Sequence, residues 1–188
     1  MVWVVAWFVT FMSLSRPRKL DTEDELYAYA VGALGRKMRS VAELKRLLRM
    51  RVEMETEYGQ TLVELVIRRL KDQGYLSDAR YAAAYSSFRK ENEKFGRRRV
   101  ISDLKVKGVH AEVIETAVAS VYDEVNEEGQ ARAYLKRKRL SKPKDQKQSA
   151  RIFRQLIRAG FGAKTIFSIL RKWDVDDETL SALESETE

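Results

Sequence analysis

Three consecutive arginines, Arg97, Arg98 and Arg99, open the stretch RRRVISDLKVKGV, which also carries Lys105 and Lys107, and three more, Arg151, Arg154 and Arg158, recur at i, i+3 and i+7 in ARIFRQLIRAGF. A guanidinium is a planar fork of donors that fits carboxylate or phosphate oxygens, so the chemistry these residues offer is anion binding, not bond making. Between the two sets lie Lys136, Arg137, Lys138 and Arg139, followed by Lys142, Lys144 and Lys147. From Arg132 to Lys172 there are fourteen Lys or Arg residues against one acid, Asp145. A surface built only for solubility mixes its signs, so this density points to a polyanion, foremost a nucleic acid.

Other chemistries lack their parts. The chain has no cysteine and one histidine, His110, which removes thiol nucleophiles, disulfides and cysteine-ligated metals, and fits a reducing cytosol. GFGAKT at 160–165 imitates the end of a phosphate-binding loop, but that motif needs glycine where Ala163 and Arg158 stand, so Gly160 reads as a helix stop. Asp123-Glu124 and Glu127-Glu128 are the residues a Mg²⁺-dependent nuclease would use; their setting reads as a solvated connection between helical units. His110 reads as a capping or surface residue. No catalytic, cofactor-binding or metal-binding residue is expected, and no small-molecule substrate.

Positioning the cations requires helices. Of the 188 residues 44% are hydrophobic and 34% charged, a balance suited to small helical units, and nearly every segment after Asp21 has apolar residues at helical spacing. Thr22-x-x-Glu25 and Ser40-x-x-Glu43 match the capping box, and Ser77 precedes another helix start. In 97–109, Val100, Ile101 and Leu104 form one buried stripe, Arg98 and Lys105 stack along its flank, and Arg99 faces Asp103 at i,i+4.

The segments 40–52, 97–109 and 150–161 superpose: Leu44, Ile101 and Phe153 coincide, as do Leu47, Leu104 and Leu156, and Gly108 matches Gly160. Each is flanked by two further apolar-striped helices, the middle copy being preceded by Tyr81, Tyr85 and Phe88. The expected fold is therefore all-α, an elongated tandem array of three three-helix repeats over 21–76, 77–125 and 126–173. Helical spacing assigns most of Tyr75, Tyr81, Tyr85, Phe88 and Phe95 to core packing rather than base stacking, with Phe95, beside Gly96, left open. Residues 1–20 read as an apolar, then basic, extension outside the core. Its first dozen residues are too few to span a membrane, and Met12 is a natural start. Residues 174–188, with seven acids and no base, read as an acidic tail.

GYLSDARYAAAY (74–85) followed by KFGRRRVISDLKVKGV (94–109) resembles the central signature of the RecX family, bacterial regulators of the RecA recombinase. Gly74, Tyr75, Leu76, Asp78, Arg80, Tyr81, Phe95, Gly96, Ile101, Leu104, Lys107, Gly108 and Val109 occupy the family's positions, and the triple-repeat layout extends the likeness from about Asp21 to Trp173. Ser87-Phe88-Arg89, and an extra residue within 92–94, depart from the pattern. The resemblance implies a cytoplasmic, monomeric, non-enzymatic inhibitor that binds RecA filaments on single-stranded DNA and limits ATP hydrolysis, strand exchange and co-protease activity in DNA repair and the SOS response. The expected contacts are Arg97, Arg98, Arg99, Lys105, Lys107, Lys136, Arg137, Lys138, Arg139, Arg151, Arg154 and Arg158. The alternative is a helical-repeat DNA-binding protein that acts without a recombinase.

Overall fold

A computed structural model of the chain describes residues 18–185, so the apolar start at residues 1–11 lies outside the described residues. Ten helices and no strands occur among the described residues: α1 (Glu23–Arg36), α2 (Val41–Arg49), α3 (Glu57–Asp72), α4 (Asp78–Glu91), α5 (Arg97–Val106), α6 (Ala111–Tyr122), α7 (Glu127–Arg137), α8 (Gln146–Arg158), α9 (Ala163–Arg171) and α10 (Asp177–Ser185). None is long and apolar enough to cross a membrane.

Local chemistry sets the helix starts. Thr22, Ser40, Thr56, Ser77, Asn126 and Asp145 each accept a hydrogen bond from an amide in the first turn that follows, which satisfies donors the helix itself leaves orphaned. Ser40 and Glu43 form the full reciprocal box. At Thr22 the Glu25 carboxylate instead takes the threonine hydroxyl. Asp145, the one acid of the basic stretch, is the cap of α8, and α8 begins earlier than the repeat pattern suggests.

The helices pack in threes. In each set the third helix packs against both the first and the second, and each set closes a core of its own. Leu26, Ala30, Leu44, Leu48, Val66 and Leu70 lie in the first, Tyr81, Val100, Leu104 and Val118 in the second, and Tyr134, Phe153, Leu156, Ile166 and Leu170 in the third. Each fully buried large aliphatic or aromatic side chain stabilises by about 1.5–3 kcal/mol.

Four details differ from the sequence reading. In α2, Leu44 and Leu48 are buried while Leu47 is only partly so, a stripe displaced by one residue from that of α5, where Val100 and Leu104 are buried. Leu20 is not outside the core: it packs against the first cluster, and its amide donates to the Arg51 carbonyl at 2.7 Å. Residues 177–185 are not a bare acidic tail, since α10 buries Leu180 and Leu183 in the third core. Phe88 projects into solvent, 54% exposed, and Ser86 takes the core position on α4; Tyr75 is exposed too.

The three sets are joined by one contact made twice. The hydroxyl of Ser40, the N-cap of α2, donates to the carbonyl of Lys107, the C-cap of α5, at 2.6 Å. The amide of Gly96, the N-cap of α5, donates to the carbonyl of Ala159, the C-cap of α8, at 2.9 Å. Each middle helix thus sets its positive N-terminal end against the negative C-terminal end of the middle helix of the next repeat, and each supplies partners the other lacks. Two glycines make the approach possible. Gly108 (φ +73°) and Gly160 (φ +91°) occupy the left-handed region, and a Cβ on Gly160 would stand 2.2 Å from the Arg99 amide nitrogen, one on Gly108 2.5 Å from Ala42 Cβ.

Side chains reinforce the first junction. Lys107 Nζ meets Glu43 Oε1 at 3.0 Å, with both side chains about one-fifth exposed, and the Val41 amide donates to Asp78 at 2.8 Å. Burial alone would raise the Glu43 carboxyl pKa, but the Lys107 ammonium and the Ser40 amide outweigh it and hold the carboxyl below its usual range.

Three outcomes follow from this packing. Gly160→Val, facing both a positive φ and the Arg99 backbone, should cost about 2–4 kcal/mol in denaturant unfolding. Gly35→Ala, on α1 with open space around it, should instead stabilise by up to about 0.5–1 kcal/mol. Because the Glu43 pKa is depressed in the folded state, its contribution is complete above the ordinary carboxylate range and is lost as pH falls through the depressed value. Unfolding measured across that acid window should show Glu43→Gln with a shallower loss of stability than the unsubstituted chain.

Candidate nucleic-acid interface

The twelve cations singled out in the sequence fall into three groups. The first is held in ion pairs within the chain. Lys107 is half-buried in the junction with Glu43. Arg97 pairs with Asp123 at 3.2 Å, and Arg137 with Glu93 at 3.0 Å. Arg99 meets Asp103 at 3.0 Å, the i,i+4 pairing visible in the sequence. These pairings help α5 tolerate three arginines in a first turn without an acid: Asp123 meets Arg97 and Asp103 meets Arg99, offsetting a dipole penalty of about 0.3–1 kcal/mol per charge.

The second group is exposed and without an ion pair among the described residues. Arg98 and Lys105 belong to it on α5, as do Lys136 and Arg139 at the end of α7, and Arg151 and Arg158 on α8. Lys138 is exposed, with its ammonium 5.9 Å from the centre of the Tyr134 ring. Arg139 holds a left-handed backbone (φ 54°), where Gly74, Gly108 and Gly160 end other helices, so its side chain is presented from a turn that a non-glycine residue adopts at a cost of about 1–2 kcal/mol. The third group is Arg154 alone, exposed on the same polar face of α8 but engaged with another residue of the chain. Opposite that face, Ile152, Phe153 and Leu156 are buried. Lys142 extends the basic strip yet pairs with Asp174 at 2.8 Å, a contact between exposed groups worth about 0–1 kcal/mol.

One cluster went unread in the sequence. Asp103 is a hub between α4 and α5: its Oδ2 accepts from the Tyr85 hydroxyl at 3.0 Å and from Arg89 at 3.2 Å, while Oδ1 faces Arg99. Arg89 also donates through Nε to the Tyr85 hydroxyl at 2.8 Å and lies 5.2 Å from the centre of the Phe95 ring. Burial, with Asp103 close by, raises the Tyr85 phenol pKa against the lowering by Arg89. The i,i+4 spacing of Tyr85 and Arg89 was the available signal. Phe95 bridges the second and third cores and sits 6.1 Å from Tyr134, so it is a packing residue at the junction rather than a platform for bases.

The carboxylates are also occupied, and not merely solvated. Glu127 accepts from the Gly162 amide at 3.0 Å and from the Thr165 hydroxyl, so the helix start that imitated a phosphate loop is capped by a carboxylate from α7. Glu128 binds Lys172 at 2.8 Å and Arg132 at 2.9 Å, and these with Ser168 lower its pKa to about 2. His110 takes the N-cap position of α6 without a side-chain capping bond. What the arrangement can do chemically is bind anions over exposed guanidinium and ammonium groups; the histidine and these carboxylates are not gathered around a common point.

The profile of the second three-helix domain of RecX matches residues 77–118. The regulatory protein RecX of Deinococcus radiodurans is 35% identical over 165 residues, covering 84% of this chain and 74% of that protein. The regulatory protein RecX of Myxococcus xanthus is 31% identical over 169 residues, covering 84% and 87%. Among solved structures, the RecX of Lactobacillus salivarius superposes with a TM-score of 0.61 at 19% identity, covering 81% of this chain and 96% of that one. The fold of helical triplets is thus shared with a RecX crystal structure, and sequence identity over most of both chains goes further: this chain belongs to the RecX family of regulatory proteins.

Proposed function

We propose that the protein is a non-enzymatic inhibitor of the RecA recombinase, binding filaments assembled on single-stranded DNA and limiting ATP hydrolysis, strand exchange and co-protease activity in the cytoplasm. The observation that carries this reading is the basic surface of the third repeat: Lys136, Arg139, Arg151 and Arg158 are exposed with no ion pair among the described residues, in a chain whose relatives are regulatory proteins. Unpaired cations set along helices lower the free energy of a phosphate backbone nearby without reading its sequence, as a partner of the DNA inside a filament requires. Three repeats joined end to end spread such contacts over a length suited to a polymer. Arg98 and Lys105 add to the surface from α5. Lys107, committed to Glu43, is a junction residue instead, and Arg97 and Arg99 are held by Asp123 and Asp103.

Titrating the protein into RecA filaments on single-stranded DNA should stop ATP hydrolysis at far fewer molecules than recombinase subunits. Tight binding to bare DNA with no effect on hydrolysis would leave a DNA-binding repeat protein that acts alone. For bare single strands, six phosphate contacts correspond to a log–log salt slope of about −4. Arg151→Glu combined with Arg158→Glu should make that slope shallower by about 1–2 and weaken binding by about tenfold or more, with an unchanged helical circular dichroism spectrum.

A further inference from the structure

The described surface has a second, chemically different region. A groove of about 910 Å³ runs between the end of α1, α4 and α5. Met38, Phe88 and Val106 line it and are 54%, 54% and 77% exposed. Three large apolar side chains brought together from α4, α5 and the connection between α1 and α2, at the junction of the first two repeats, are unlike the face of α8, where Ile157 is the one exposed large hydrophobic residue. A contiguous apolar patch rimmed by charge is the mark of a protein-binding surface.

The rim is cationic. Lys37, Arg89, Arg99 and Lys107 line the groove against a single carboxylate, Asp103. Arg89 is held between Tyr85 and Asp103, and Lys107 is held by Glu43. Arg99 is paired with Asp103 at 3.0 Å, whereas Lys37 is exposed with no ion pair among the described residues. Lys37 therefore remains to receive an incoming anion at the edge of an apolar trough.

We infer that this groove docks a protein segment presenting an apolar side chain next to a carboxylate: the apolar group fills the space between Phe88, Val106 and Met38, and the carboxylate meets Lys37. The occupant is protein rather than nucleic acid for two reasons. Of the three exposed apolar groups only Phe88 has a π-face to stack on a base, Val106 and Met38 having none, and the Tyr85 ring is already covered by Tyr81, stacked at 5.9 Å, and by Arg89 and Lys107, 5.0 and 5.3 Å from its centre. Most of the rim cations are also fixed in internal pairs, which leaves donors for one carboxylate, not for a run of phosphates. The inference rests on the proposed action on a recombinase filament and assigns the recombinase to this groove and the DNA to the third repeat.

Val106→Glu places a like-charged, polar group where the partner's apolar side chain would sit, at a position exposed enough to leave folding intact; Phe88→Ser is the independent second variant, with Val106→Ile as the conservative control. Each is tested for inhibition of ATP hydrolysis by RecA filaments and, at the same salt, for affinity to bare single-stranded DNA. The expected result is a rise of about tenfold or more in the half-inhibiting concentration for Val106→Glu and Phe88→Ser, little change for Val106→Ile, and bare-DNA affinity within about twofold throughout. Undiminished inhibition by both variants would overturn the assignment, as would an equal loss of bare-DNA binding, which would give the groove to nucleic acid. If the unsubstituted protein left hydrolysis untouched, the recombinase reading would fail, and this inference with it.

Discussion

A helix end is a set of unsatisfied backbone groups, and this protein answers two such ends with each other. The N-cap of α5 meets the C-cap of α8, and the N-cap of α2 meets the C-cap of α5. Without those junctions the three cores would be separate triplets, each small for independent stability. With them, the polar termini of the middle helices are paired inside the array, and the relative placement of the repeats is set by hydrogen bonds and by the left-handed turns at Gly108 and Gly160. Everything proposed about the surface depends on that placement, because the groove draws residues from both sides of the first junction.

The junctions also sort the basic residues. A cation count treats Lys107 and Lys105 alike, yet one is closed against Glu43 and the other faces solvent. Arg97 and Arg99 flank a helix end and are drawn into pairs with Asp123 and Asp103; Arg98 between them points outward. Of three adjacent arginines, two are thus drawn into ion pairs within the second repeat and one is exposed without one among the described residues. In the third repeat, Arg151 and Arg158 on α8 are exposed with no ion pair among the described residues.

Much of the architecture was legible because it follows from local rules. Ser40 with Glu43, Ser77 before α4, the apolar stripes and the helix-stopping glycines are consequences of hydrogen-bond valence and of 3.6-residue periodicity, and both act within a few residues. The Arg99–Asp103 pair was readable for the same reason. Phe88 was misread because helical spacing places an apolar residue on a stripe but does not say how wide the buried stripe is, and here Ser86 occupies the core. Leu180 and Leu183 were hidden by the acids around them, whose charges are compatible with a helix that buries only one narrow face.

Composition and pattern by themselves determined the all-helical class, the threefold repetition, the excess of cations in the third repeat and the resemblance to RecX proteins. Only the tertiary structure decided which cations are free, that Glu127 fills the helix start at Gly162, and that Met38, Phe88 and Val106 converge on one groove. The physical reason is range: charge and periodicity are summed along the chain, whereas an ion pair such as Lys107 with Glu43 joins residues whose meeting depends on how one helix end docks against another.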